Sequence, residues 1–113
     1  MLRIVARYAD VWNAWGTPDV IARKSAVLDG YCAEIGRDPK AIGRTAQALI
    51  ALDAAPPEGQ RMPVIGGSVE QLARSVAEYR QVGLDELIVP DDLLGRGADR
   101  LAAMDTILGI VRG

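Results

Sequence analysis

A chain of 113 residues allows one domain of ordinary size and leaves no room for a second. Half of the residues are hydrophobic and a quarter are charged, a globular composition that excludes disordered, collagen-like and coiled-coil classes. The formal charge of −2 leaves no basic surplus for nucleic-acid phosphates. Histidine is absent and Cys32 is the single cysteine, which removes histidine acid–base chemistry, Ser-His-Asp triads, the usual metal sites and internal disulfides. No leader pattern and no apolar run of about 20 residues is present. The expectation is a soluble, cytoplasmic protein with no metal, no nucleic-acid partner and no membrane contact.

In chain order, Leu2, Val5, Ala6 and Ala9 fall at helical spacing and predict a short helix that starts without a cap. Asp10–Trp15 is short and aromatic and reads as a strand. Thr17 and Pro18 form a cap-plus-proline start. Val20, Ile21, Val27, Leu28, Tyr31, Cys32 and Ile35 make the stripe of the helix that follows, and Gly36 ends it. Asp38-Pro39 opens a single turn through Ile42, and Thr45–Leu52 reads as a strand. The stretch 53–63, with three prolines and a glycine, is a loop.

The second half repeats the grammar. Ser68 and Gln71 make a capping box, with Val69, Leu72, Val76 and Tyr79 along one face up to Gly83. Leu84–Val89 is a strand ended by Pro90. The last helix carries Leu101, Met104, Leu108 and Val111 at intervals of three, four and three. Strands alternating with helices predict parallel βαβ units with right-handed crossovers, with strands near Val11–Trp15, Ala46–Leu52 and Glu86–Val89 in sequential order and helices on one face. Three parallel strands cannot close a barrel, and a complete (β/α)8 barrel takes about 250 residues. The expected fold is therefore α/β, a partial TIM barrel in one segment over residues 1–113.

The stretch LRIVARYADVWNAWG resembles a segment of the bacterial luciferase-like flavin- or deazaflavin-dependent oxidoreductases. The later runs RKSAVLDGYCAEIGRDP and GLDELIVP are similar to the same family. The resemblance implies the last half-helix and the sixth, seventh and eighth βα units of a barrel, about the C-terminal third of a family member. It also implies FMN or the deazaflavin F420 as cofactor and a small molecule as substrate. The family's glycine-rich phosphate loop precedes the position of Leu2. The chain is accordingly expected to bind neither cofactor tightly alone, and it leaves the catalytic residues unassigned.

Several residues are candidates for chemistry. Gly66-Gly67-Ser68 before a capped helix is either a phosphate cradle or a structural lead-in; it lacks a P-loop lysine. Trp12 and Trp15 point to opposite faces of their strand, and Asn13 shares the face of Trp15. Trp12 reads as packing under a helix. Asn13, Trp15, Gly16 and Thr17 lie at the strand's carboxyl end, where barrel enzymes place their sites, and the resemblance implies a substrate-pocket role for this loop. For Trp15, packing and ring stacking both suit the position; for Thr17 the helix cap is the favoured role. Asp91, beside Asp92, is the last pocket candidate, although adjacent acids in a glycine-rich loop are usually solvated. Cys32 reads as a buried, inert thiol.

Two functions of different class follow. One is the C-terminal part of a luciferase-like oxidoreductase or monooxygenase that contributes substrate-pocket loops, completed by an N-terminal barrel portion. The alternative is a non-catalytic partial-barrel remnant stabilised by self-association as a homo-oligomer. The second expects apolar residues on the sheet face away from the helices: Val11, Ala46 or Leu49, and Leu87 or Ile88.

Overall fold

The computed structural model describes residues 1–112. The chain runs α1 (Leu2–Tyr8), β1 (Val11–Trp15), α2 (Pro18–Glu34), a 3-10 turn at Pro39–Ala41, β2 (Gly43–Gln47), β3 (Leu49–Leu52), β4 (Val64–Gly67), α3 (Val69–Gln81), β5 (Glu86–Ile88), a second 3-10 turn at Asp91–Leu93, and α4 (Gly97–Arg112). It is a mixed α/β fold with parallel strands in small sheets. One sheet has the order β1-β2-β5 and the other pairs β3 with β4, every ladder parallel. The sequential, parallel order expected for the first, middle and last strands is what the three-stranded sheet shows.

Local signals explain most element ends. The Ser68 hydroxyl accepts from the Gln71 amide at 3.2 Å, and Gln71 Oε1 accepts from the Ser68 amide at 2.8 Å, completing the capping box of α3. Pro18 takes the first turn of α2. Gly36 and Gly83 follow α2 and α3 with φ of +70° and +82°, values that cost glycine little. Thr17 departs from expectation. Its hydroxyl donates 2.5 Å to Asp19 Oδ1 instead of accepting from the helix, because the carboxylate one turn-start away is the stronger acceptor. The end of α1 is tied down by Arg37, which donates to the carbonyls of Ala6 at 2.9 Å and Ala9 at 2.6 Å.

The expected strand over 46–52 is in fact two. The amide of Ala48 still reaches Ile88 O at 3.3 Å, but that of Leu49 turns to Pro63 O at 2.9 Å. The chain exchanges β5 for β4 as neighbour at this point, and the apparent lead-in at residues 64–67 is itself a strand. Gly66 permits the close approach, since a Cβ there would stand 3.3 Å from Ala54 O.

Two clusters form the core on the helix side. Ala6, Trp12, Leu28, Cys32 and Ile42 lock α1 and α2 onto β1, so Trp12 does pack under a helix and Cys32 is buried. Ile21, Ala46, Ile50, Ile65, Leu72, Tyr79 and Leu94 join both sheets to α2 and α3. The stripe of α2 is narrower than its sequence suggests, because Val27 and Ile35 are exposed. In α4 the stripe Leu101, Met104, Leu108 and Val111 faces out, while Ala103, Ile107 and Ile110 pack inward. No described residue of α4 is buried.

Candidate functional site

Alternation along β1, β2 and β5 divides their side chains between two faces. Trp12, Ala14, Ala46 and Leu87 meet the helices. Val11, Asn13, Trp15, Thr45, Gln47, Glu86 and Ile88 therefore share the other face, with Asn13 opposite Thr45, Trp15 opposite Gln47, and Thr45 opposite Glu86 in register. This corrects the expectation of an apolar open face. Ala46 and Leu49 are buried, and Leu87 packs into the core; only Val11 and Ile88 of that set lie exposed on it. Thr45 and Gln47 fall at odd positions of β2, and the parity of the ladder puts both outward, whereas Arg44 lies buried on the helix side and donates to Ser25 O, Pro39 O and Asp29 Oδ1.

The polar side chains are linked. Asn13 Nδ2 donates to Gln47 Oε1 at 2.7 Å. The Thr45 hydroxyl, 2.8 Å from Asn13 Oδ1 and 3.2 Å from the Trp12 carbonyl, donates to the nearer acceptor. The chain of bonds runs Thr45 to Asn13 to Gln47 and ends on the Gln47 amide NH2, which keeps its donors free for a ligand. Trp15, half-buried, stands beside that end and offers an aromatic face. Asn13 and Trp15 were legible as candidates in the sequence; Thr45, Gln47 and Glu86 were not. Their signal was the alternation Thr45-Ala46-Gln47 inside a segment read only for its type.

The loop after β1 is held from below. The buried Tyr79 hydroxyl of α3 donates to Gly16 O at 2.7 Å. Burial, and secondarily the Asp19 carboxylate, raises the Tyr79 pKa to about 12, so the phenol stays a donor throughout the physiological range. Gly16 is buried, and a Cβ there would stand 3.0 Å from the Ile21 side chain. Asp19 is held below the ordinary carboxylate range first by the Thr17 hydroxyl, and then by the amides of residues 19 and 20 and by Arg23. Gly16 and Thr17 thus shape the rim of the face.

Gly66, Gly67 and Ser68 sit at the carboxyl end of β4 and the start of α3. Gly67 has φ of +111°, and its amide neighbours at Ser68 and Gln71 are already bonded within the capping box. Two of the donors a phosphate would use are therefore engaged. Asp91 lies in the turn after β5 and pairs with Arg100 at 3.0 Å; Asp92 is exposed beside it. Trp15, Gln47, Gly67 and Asp91 lie at or just past the carboxyl ends of parallel strands and Asn13 and Thr45 at the middles of theirs; among the described residues, hydrogen bonds join only Asn13, Thr45 and Gln47 into one site. Among the described residues, no group of three acidic or cysteine side chains could hold a metal ion, and no helix is long and apolar enough to cross a membrane.

No protein-family model and no curated protein matches the sequence. Solved structures match its fold. The coenzyme F420-dependent tetrahydromethanopterin reductase from Methanopyrus kandleri superposes with a TM-score of 0.67 at 12% identity, over 97% of this chain and 48% of that one. The long-chain alkane monooxygenase LadA gives a TM-score of 0.71 at 8% identity, over 98% of this chain and 38% of that one. An F420-dependent secondary alcohol dehydrogenase, in complex with an F420–acetone adduct, gives 0.63 at 10% identity, over 99% and 46%. All three are oxidoreductases, and the chain spans less than half the length of each. What it shares with them is a fold: nearly all of this chain reproduces one portion of theirs.

Proposed function

We propose that the chain is the C-terminal portion of a luciferase-like, flavin- or deazaflavin-dependent oxidoreductase, its strands being the last three βα units of a (β/α)8 barrel. In this reading β2 and β3 together form one barrel strand. The Asn13–Thr45–Gln47 ladder carries the proposal: a linked polar face, turned away from the helices and running from mid-strand toward Trp15 at the carboxyl end of β1, suits the interior of a barrel enzyme below its mouth. The likeness of fold to three oxidoreductases supports it.

The donor set suits the edge of a planar, carbonyl-bearing ring or a small oxygenated substrate. Gln47 supplies amide donors, Trp15 a stacking surface, and Thr45 and Asn13 fix the orientation of the Gln47 amide. Reduced FMN or F420, when bound, would supply the electrons. This portion orients the substrate and excludes water from one side, and the remaining barrel strands complete the site and hold the cofactor phosphate.

Side-chain amide and indole resonances in nuclear magnetic resonance spectra test the reading. Added F420 or FMN, at millimolar concentration, is expected to shift the signals of Asn13, Gln47 and Trp15, with no saturable binding in the micromolar range. Shifts confined to the helix side, or an undiminished Trp15 indole shift in the double variant Asn13→Ala with Gln47→Ala, would refute it.

A further inference from the structure

We infer that Tyr79, on α3, is a positioning residue for the polar face: through Gly16 it fixes Trp15 and Gln47, the two side chains that offer that face to a ligand. The inference rests on the oxidoreductase reading, in which this face meets substrate. It adds to the site a residue of a different βα unit, 63 positions from the glycine it holds.

Gly16 is gripped at both its amide and its carbonyl. The amide donates to the Gln47 carbonyl at 3.1 Å, just past the paired residues Trp15 and Gln47 that end the β1–β2 ladder. The carbonyl accepts from the Tyr79 hydroxyl at 2.7 Å. Because the Gly16 amide shares one rigid peptide plane with the Trp15 carbonyl, its bond to Gln47 sets the backbone direction of Trp15. It is also the last backbone bond described between the two strands, since the chain changes sheet partner after Ala48. Glycine itself resists rotation about φ and ψ only weakly. The grip on its carbonyl therefore decides whether the grip on its amide persists.

The hydroxyl is what sets Tyr79 apart. The side chain is 2% exposed and belongs to the cluster of Ile21, Ile50, Ile65, Leu72 and Leu94, where phenylalanine would fill nearly the same space with no polar group to bury. A buried hydroxyl costs free energy unless it is bonded, and this one bonds the strand end that carries the site. The other two tyrosines are placed elsewhere: Tyr8 is exposed, and Tyr31 lies under the Arg3 guanidinium.

Nuclear magnetic resonance tests the inference with Tyr79→Phe, which keeps the ring and its packing. Without ligand, the Trp15 indole and Gln47 side-chain amide signals are expected to move, while the Trp12 indole, in the other core cluster, stays in place. The shifts that millimolar F420 or FMN produces at Trp15 and Gln47 in the parent chain should fall by more than half. Cys32→Ala removes a fully buried group from the Trp12 cluster and separates positioning from loss of stability. It should move the Trp12 signal and leave Trp15, Gln47 and their response to ligand unchanged. Unmoved Trp15 and Gln47 signals in Tyr79→Phe, ligand shifts that survive it undiminished, or an equal effect from Cys32→Ala would each overturn the inference. Parent signals that ignore both cofactors would instead overturn the oxidoreductase reading; movement of the ligand-free signals in Tyr79→Phe would still uphold Tyr79 as the residue that sets Trp15 and Gln47.

Discussion

α2 and α4 are nearly the same length, 17 and 16 residues, yet they stand in opposite relations to the core. α2 buries Pro18, Ile21, Ser25, Leu28 and Cys32, while α4 buries none of its described residues. Both have apolar side chains in abundance. The difference lies in helical neighbours: α2 lies between α1 and α3, whereas the main helical contact of α4 is with α3. Helical stability in proteins comes mainly from packing, so an element with one flank open is held more weakly than its sequence implies.

The sharpest way to break this comparison is truncation of one leucine on each helix. Leu28→Ala, at a fully buried position, is expected to cost about 3 kcal/mol in urea unfolding. Leu101→Ala, 65% exposed, should change the unfolding of dilute monomer by less than about 0.5 kcal/mol. Equal losses would mean that α4 is seated as firmly as α2.

A smaller effect is expected where α3 supports the β1 rim. Tyr79→Phe leaves the Gly16 carbonyl without its donor and should cost about 1–2 kcal/mol. The same hydroxyl makes stability depend on alkaline pH. Its pKa is raised from 10.0 to about 12 in the folded chain, so the folded state holds the proton longer. Stability is full below pH 10 and declines as pH rises toward 12; the phenylalanine variant should lose this slope. A flat profile in the parent chain would show that the hydroxyl is not buried.

Gly30→Ala sharpens the same contrast from the other direction. Nothing lies within 4 Å of a Cβ at Gly30, on the exposed side of α2, and alanine there should stabilise by about 0.8 kcal/mol in thermal or urea unfolding. Gly67→Ala should instead destabilise, because its Cβ would collide with Gln71 Oε1 at 2.0 Å and its φ is +111°. At the solvent-facing end of α2, acid titration should show the smallest change. The depressed Asp19 pKa gives a contribution that is present above the ordinary carboxylate value and fades as pH falls through the lowered one. Thr17→Val should weaken that acid dependence, read as a smaller drop in melting temperature between neutral pH and pH 3.

The sequence by itself determined the pieces whose causes are local. The Ser68–Gln71 box, Pro18 at the first turn of α2 and the glycines that follow α2 and α3 act within a few residues, so the helix ends they mark agree with the structure. The parallel, sequential order of the first, middle and last strands was likewise legible, because alternation of elements and handedness of crossovers leave few topologies, but the middle strand's division into β2 and β3 and the existence of β4 were not. The site was half legible. Asn13 and Trp15 followed from their shared face on one strand together with the pocket role that the family resemblance implies for its end, but their union with Thr45 and Gln47 depends on the register between β1 and β2, which no single strand encodes. Only the tertiary structure decided the rest: the exchange of partners at Ala48, the reach of Arg37 to the end of α1, and which of two apolar stripes on α4 faces inward. The physical reason is the same in each case. A periodic pattern states that a face will be buried if something covers it, and what covers it is settled by segments distant in the chain.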